Sequence, residues 1–301
     1  MSVGFHHLFS QAPSIAALGR VALSALRAPR PGAKVPPLPG PWSEETLPPR
    51  SPELITAYLR HLGADPSRYR GMVPAFLFPQ WSFPLMARTL VDLPYPLVRV
   101  INAGCRLQVH APLPSGKPLQ VRVRLDSVDD DGRRAILTTR VITGTKEVPD
   151  ALEAELRALV PLKKGEGPGG TRQRPTVPAD ARELAFLRLR RDAGLDFALL
   201  TGDFNPIHIV PAYARAAGFR SCILHGFATM ARAAVALEQG VLAGEPRLLA
   251  ELDARFTRPL PLPASVGVYV RGDSVWVGDA PGGGAYLEGH FAKKGQKEKL
   301  S

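Results

Sequence analysis

Two stretches, "CRLQVHAPLPSG" at 105–116 and "ARFTRPLPLPAS" at 254–265, are one pattern written twice. With Cys105 set against Ala254, Arg106, Leu107, Pro112, Leu113 and Pro114 fall on Arg255, Phe256, Pro261, Leu262 and Pro263. Downstream, "VRVRLDSV" (121–128) parallels "VYVRGDSV" (268–275) after a small change of offset. In each copy a proline corner feeds an alternating strand. Val121, Val123 and Leu125 share one face of the first, and Val266, Val268 and Val270 one face of the second. "RRAILTTRVITG" (133–144) and "GAYLEGHFAKKG" (284–295) supply the next strand of each copy.

A helix precedes the strands in both copies. In the second it is "HGFATMARAAVALEQG" (225–240), with glycine near both ends and small residues suited to burial against a sheet. In the first it is "FPQWSFPLMARTLVDLP" (78–94). The unit is therefore a helix followed by antiparallel strands. An antiparallel sheet has one face to cover, and a long helix laid across a curled sheet covers it. The pattern predicts an α+β chain of two such layered units.

Proline and glycine mark the boundaries. Prolines cluster from Pro29 to Pro49, and "KKGEGPGGTRQRPTVPAD" (163–180) is basic and lacks hydrophobic periodicity. The expected division is an N-terminal arm over 1–44, a first unit over 45–162, a linker over 163–180 and a second unit over 181–301. Residues 1–43 contain no Asp or Glu, and Arg20, Arg27 and Arg30 sit there among Ala, Leu and Ser. The segment reads as a helix near Ile15–Leu26 followed by a proline-rich arm, or as a transit-type targeting peptide.

Composition narrows the function classes. The chain has 301 residues, 45% of them hydrophobic, with 38 Lys and Arg against 27 Asp and Glu, a net +11. No uninterrupted apolar run reaches about 18 residues, so no membrane span is expected. Cys105 and Cys222 lie far apart and in no metal-type spacing. Neither a disulfide framework nor a zinc site is expected, and a reducing, cytoplasmic setting is. The positive charge favours anionic partners. No helix-turn-helix, RNP-type or zinc-finger pattern accompanies it, so a phosphorylated carrier or an acidic carrier protein fits better than nucleic acid.

The chemistry concentrates in "TGDFNPIHIVPAYARAAGF" (201–219). Asn205 is a favoured N-cap, with Pro206 behind it at the first helical position. A helix would then run through Tyr213 and Ala216 and end at Gly218. Asp203 stands on the loop just before the cap and His208 in the first turn, so both can face one small volume. A helix N-terminus favours a carboxylate and disfavours an imidazolium. A neutral His and a carboxylate can then orient one water. On spacing alone, capping and ordinary ion pairing explain the same residues.

The stretch, followed by "LHGFATM" (224–230), resembles the signature of the MaoC-like, (R)-specific enoyl-CoA hydratases, or hydratase 2 family, which have the hotdog fold. The family pattern is roughly S/T-G-D-x-N-P-h-H, with h apolar, then a His-Gly opening the central helix. Thr201, Gly202, Asp203, Asn205, Pro206, His208, His225 and Gly226 fill it. The resemblance extends over about 45–295 and implies a double hotdog, most similar to two-hotdog 3-hydroxyacyl-thioester dehydratases. It implies Asp203 and His208 as a catalytic dyad holding the water that adds to a trans-2-enoyl thioester, or that leaves a (3R)-hydroxyacyl thioester. It implies Asn205 as the supporting amide and the Gly226 N–H as the donor to the thioester oxygen. The carrier would be coenzyme A or acyl carrier protein, and the metabolism that of fatty acids. No cofactor or metal is implied, and the chain would act as a monomer or homodimer.

The first copy departs from the pattern. Its "LGADPSRYRG" (62–71) offers Asp65 in place of Asp203, has nothing for Asn205, and puts Arg70 where His208 would be. That half is expected to be non-catalytic. Phe76, Phe78, Trp81 and Phe83 read as core, or as lining for an acyl chain. His225 is either a helix-start residue or a group near the substrate, and Arg258 either a solvated strand-end residue or a contact for the phosphates of coenzyme A. His61, His110 and His290 read as surface or structural. A hotdog thioesterase and a non-catalytic acyl-binding subunit are the rival readings.

Overall fold

The structure, a computed structural model, describes residues 3–11, 35–90, 93–97, 100–162 and 175–295. The expected helix near Ile15–Leu26 and residues 163–174 of the expected linker lie outside the described residues. The first half comprises β1 (Ser43–Leu47), α1 (Pro52–Leu62), β2 (Met72–Val73), α2 (Pro79–Leu90), β3 (Ile101–Val109), β4 (Leu113–Pro114), β5 (Leu119–Asp130), β6 (Arg134–Gly144) and β7 (Leu152–Pro161). The second comprises β8 (Arg182–Leu189), α3 (Ala193–Thr201), α4 (Pro211–Ala216), α5 (Gly226–Gly240), β9 (Leu249–Phe256), β10 (Ala264–Arg271), β11 (Ser274–Gly278) and β12 (Ala285–Lys293).

The expected pair of sheets is one sheet of ten strands, ordered β1-β5-β6-β7-β3-β9-β12-β11-β10-β8. The order is the same from either end once β1, β3, β5, β6 and β7 are matched to β8, β9, β10, β11 and β12. The two halves meet where β3 pairs antiparallel with β9, and Cys105 lies opposite Ala254 there. Those are the residues the sequence repeat makes equivalent. A residue paired with its own counterpart marks a local two-fold axis. The physical reason for fusing the sheets is that β3 and β9 would otherwise each expose an unpaired edge. This is the α+β double hotdog, with the sheets joined.

The alternation reads out as burial. Leu119, Val121, Val123 and Leu125 are buried along β5, and Val266, Val268 and Val270 along β10. α2 packs against β1, β5 and β6, and α5 against β8, β9 and β11. In α5 the buried Ala228, Ala231, Ala233, Ala234 and Ala236 keep the helix close to the strands. In α2, Trp81 is 1% exposed and its Nε1–H donates to Thr143 Oγ1 at 3.0 Å. Burying such a side chain contributes roughly 1.5–3 kcal/mol, the indole donor being satisfied. Phe76 and Phe78 are core as well.

The seam between the halves is partly polar. Two buried ionisable side chains of α5 face the first half: Tyr69 donates to the Glu238 carboxylate, and Arg232 meets His61 Nε2 at 2.9 Å. Residues Phe5–Gln11 form a 3-10 turn. The Gln11 carboxamide, fully buried, donates to the carbonyls of Leu199 and Leu200 at 3.3 and 3.1 Å and accepts from Gln80 of α2 at 3.1 Å. Residues 175–181 lie on the sheet, with Val177 buried and its N–H donating to Gly283.

Candidate active site

The loop from α3 to α5 builds the site. α3 ends with Gly202 in the left-handed region at φ 82°, which turns the chain so that Asp203 leaves the helix axis. Asn205 caps the next turn, its Oδ1 accepting from Ile207 N–H at 3.3 Å, with Pro206 at the first position. The continuous helix expected from Pro206 to Ala216 is instead a 3-10 turn over Pro206–His208, then α4 from Pro211. The cause is local. Pro211 disfavours helical geometry at Val210, which is extended at φ −112° and ψ 103°. The expected stop holds: Phe219 N–H reaches Ala214 and Gly218 N–H reaches Arg215, a Schellman ending.

The turn puts His208 in the interior, 9% exposed, while Asp203 keeps 14% of its side chain exposed. His208 Nδ1 lies 2.8 Å from the carbonyl oxygen of Ile223. A carbonyl only accepts, so Nδ1 carries the proton and Nε2 keeps a free lone pair. Burial holds the His208 imidazole below its ordinary range, against the opposing pull of Asp203 and Ile223. Burial pushes the Asp203 carboxyl upward, opposed by His208 and the N–H of Asn205.

His225, 1% exposed, precedes the first residue of α5. Its ring stacks on His208 with centroids 3.6 Å apart and planes 27° apart. A carboxylate oxygen of Asp203 and one nitrogen of each imidazole lie within 4.8 Å of one another. One water hydrogen-bonded at about 2.8 Å on each side spans such a gap. The sequence spacing does not reveal that His225 joins this group. Three such residues are also a possible metal set. Each imidazole commits one nitrogen toward a carbonyl, which leaves one lone pair on each ring, at His208 Nε2 and His225 Nδ1.

Gly226 opens α5 and is partly exposed. A Cβ there would lie 2.6 Å from the Phe256 ring, so glycine lets that ring cover the helix start. Phe227 meets Phe78, Phe83 and Phe256 edge-on around it. Gly194 in α3 carries no motif, and the sequence reading passes over it. A Cβ at Gly194 would land on the carbonyl oxygen of His208, so glycine lets α3 pack directly against the turn.

Other candidates go elsewhere. The Arg258 guanidinium lies over the Tyr286 ring at 3.9 Å and binds Asp279 and the Gly284 carbonyl. It braces the turn before β12, so it is not a freely solvated strand-end residue. Asp65 is exposed and caps the 3-10 turn Pro66–Tyr69, accepting from Ser67 N–H at 2.9 Å. It therefore matches Asn205 rather than Asp203, and Arg68, two residues past the proline, stands at the His208 place in lieu of Arg70. The first-half loop is one residue shorter between its left-handed Gly63 and its proline. His61 is structural, whereas His110 and His290 are exposed. Neither a small cavity beside Tyr69 and Glu238 nor a groove of about 470 Å³ along β1 and β5 is lined by the dyad.

Burial holds His7, His61, His208 and His225 below the usual imidazole range, His61 at about 3. An unfolded chain takes up these protons near pH 6.5, and the folded one refuses them, so stability falls as pH drops from 6.5 toward 3. Asp203 and Glu238, the latter raised to about 7, act in the opposite sense but are outnumbered. The thermal midpoint is expected to be lower at pH 5 than at pH 7.5. A scan by circular dichroism showing the reverse would contradict the neutral-histidine assignment.

Residues 170–278 match the profile described as "MaoC like domain". The chain is 28% identical over 233 residues to the 3-hydroxyacyl-thioester dehydratase X of Mycobacterium tuberculosis, covering 76% of this chain and 79% of that one. It is 28% identical over 246 residues to the enoyl-CoA hydratase ChsH3 of the same organism, covering 75% and 82%. A crystal structure of HtdX from M. tuberculosis superposes with a TM-score of 0.65 at 23% identity, covering 83% of this chain and 99% of that one.

Proposed function

We propose that this chain, whose residues 170–278 carry a MaoC-like domain, is a hydro-lyase of fatty-acid metabolism. It adds water to a trans-2-enoyl thioester and, in reverse, dehydrates a (3R)-hydroxyacyl thioester. The observation that carries this reading is the placing of the Asp203 carboxylate and a His208 ring nitrogen within a water-bridging gap, with the His208 tautomer set by Ile223. His208 Nε2 and the Asp203 carboxylate are then the two acceptors. A water between them donates both its hydrogens and turns an oxygen lone pair outward.

The chemistry follows from that orientation. The oxygen bonds to Cβ as one O–H proton passes to the dyad, and the double-bond electrons move toward the thioester oxygen. The Gly226 N–H, at the positive end of a 15-residue helix, stabilises the charge on that oxygen. Such a donor contributes about 3 kcal/mol. The dyad proton then goes to Cα, so one water is consumed and the site is regenerated. Asn205 holds the turn. The 45–162 half is non-catalytic, and 181–301 holds the chemistry. Phe83, Phe227 and Phe256 would flank the acyl chain, and the net +11 suits coenzyme A or acyl carrier protein. The reaction needs no cofactor beyond the substrate's own thioester, and the chain would work as a monomer or homodimer. Among the described residues no helix is long and apolar enough to cross a membrane.

Incubation with crotonyl-CoA tests the reading. Loss of enoyl absorbance without free thiol is the expected result. Release of thiol would assign a thioesterase, and binding without turnover an acyl-binding subunit.

A further inference from the structure

We propose that His225 is a positioning residue that sets where Asp203 and His208 stand relative to each other, a role that rests on the dyad reading above. One imidazole touches both partners. Its Nε2 lies 3.0 Å from the backbone carbonyl of Asp203 and so must donate to it, and its face lies against the His208 ring. Phe197 of α3 packs against the same ring at 4.9 Å. The loop backbone that carries the carboxylate and the plane of the His208 ring are thus referred to one rigid group.

Helix capping does not explain this placement. The His225 side chain makes no capping bond to the first turn of α5. Its Nδ1 is buried and has no partner among the described residues. A capping histidine would use that acceptor for a first-turn N–H. Here Nδ1 takes no bond from α5, while Nε2 keeps its bond to the Asp203 carbonyl.

The surroundings also argue against a proton-transfer role. Four groups act electrostatically on His225: His208 and Asp203 from the loop, Arg232 from α5 itself and His61 from α1. Arg232 is 7% exposed, donates to Ala228 at 3.2 Å and contacts His61 at 2.9 Å. Asp196, the carboxylate that also acts on Arg232, is bound by Arg190 at 2.8 Å. A guanidinium in that position opposes a second positive charge on His225. Burial acts in the same direction, so the ring stays neutral with its proton on Nε2. It can hold the dyad without exchanging protons with it.

The test uses the full chain and crotonyl-CoA hydration. His225→Ala should lower kcat by about tenfold or more while KM stays within about twofold. His225→Gln, whose carboxamide N–H can reach the Asp203 carbonyl, should recover most of that loss. Combined with His208→Ala, His225→Ala should add no further loss, because a residue acting through the dyad has nothing left to position. Should His225→Ala fail to fold, His225→Asn replaces it, since its shorter amide cannot reach that carbonyl. Normal kcat in the Ala or Asn variant, or multiplied losses in the double variant, would overturn the role while leaving the dyad standing. Activity in Asp203→Asn or His208→Ala would instead remove the dyad reading itself.

Discussion

Asp203→Asn and His208→Ala should each lower kcat for crotonyl-CoA hydration by at least about 10²-fold, the scale set by loss of a positioned acid or base. The two substitutions remove different things. Asn at 203 can still accept the Asn205 N–H, now bonded to Asp203 at 3.3 Å, so the turn stays intact while the negative acceptor for water is lost. Ala at 208 removes the free Nε2 and also leaves the Ile223 carbonyl without its donor, at a cost of about 1–3 kcal/mol. That second effect is separable: melting curves should show Asp203→Asn near the parent and His208→Ala below it, with both inactive. Asp65→Ala serves as the control. Its carboxylate caps an exposed turn in the half that lacks the His208 counterpart, so kcat should not change. Near-normal turnover in either dyad variant would falsify the assignment of both.

What the sequence made legible was periodic or local. The two-copy layout could be read because buried positions recur at matched offsets: Leu113 and Leu262, 1% and 2% exposed, follow the same proline corner. The N-cap at Asn205 and the stop at Gly218 depend on neighbours a few residues away, and both were readable. The helix break at Val210 was equally local, and the Val-Pro step was its signal, though the apolar pattern ran through it. Asp65 falls in the place of Asn205 because the first-half loop is one residue shorter, a shortening that shows when positions are matched from the proline and not from the acid. Contacts between distant segments left no sequence signal. His225 meets the Asp203 carbonyl across 22 positions, and Arg232 meets His61 across 171. The strand-end position of Arg258 gives no sign of the Tyr286 ring and the Asp279 carboxylate that hold it.

Gly194→Ala tests the least legible of these contacts, and its sign decides the matter. In an exposed helix interior, alanine would be favoured over glycine by about 1 kcal/mol. At 194 the added methyl meets the carbonyl oxygen of His208, with His208 Cβ 3.4 Å away. The obstacle is backbone, so no rotamer change relieves it. Either α3 or the Pro206–His208 turn must move. The buried Phe197, Ala198, Leu199 and Leu200 hold α3, and Gln11 holds its last carbonyls, so the turn is the part that yields. Overpacking of this kind costs about 1–3 kcal/mol, and a shift of about 1 Å in a catalytic group can cost about 10²-fold in rate. The expected outcome is a lower melting temperature together with a kcat loss of about that size and little change in KM. A variant that melted higher than the parent and turned over normally would mean that α3 does not bear on His208, and that the placing of the imidazole comes from Ile223 and His225 alone.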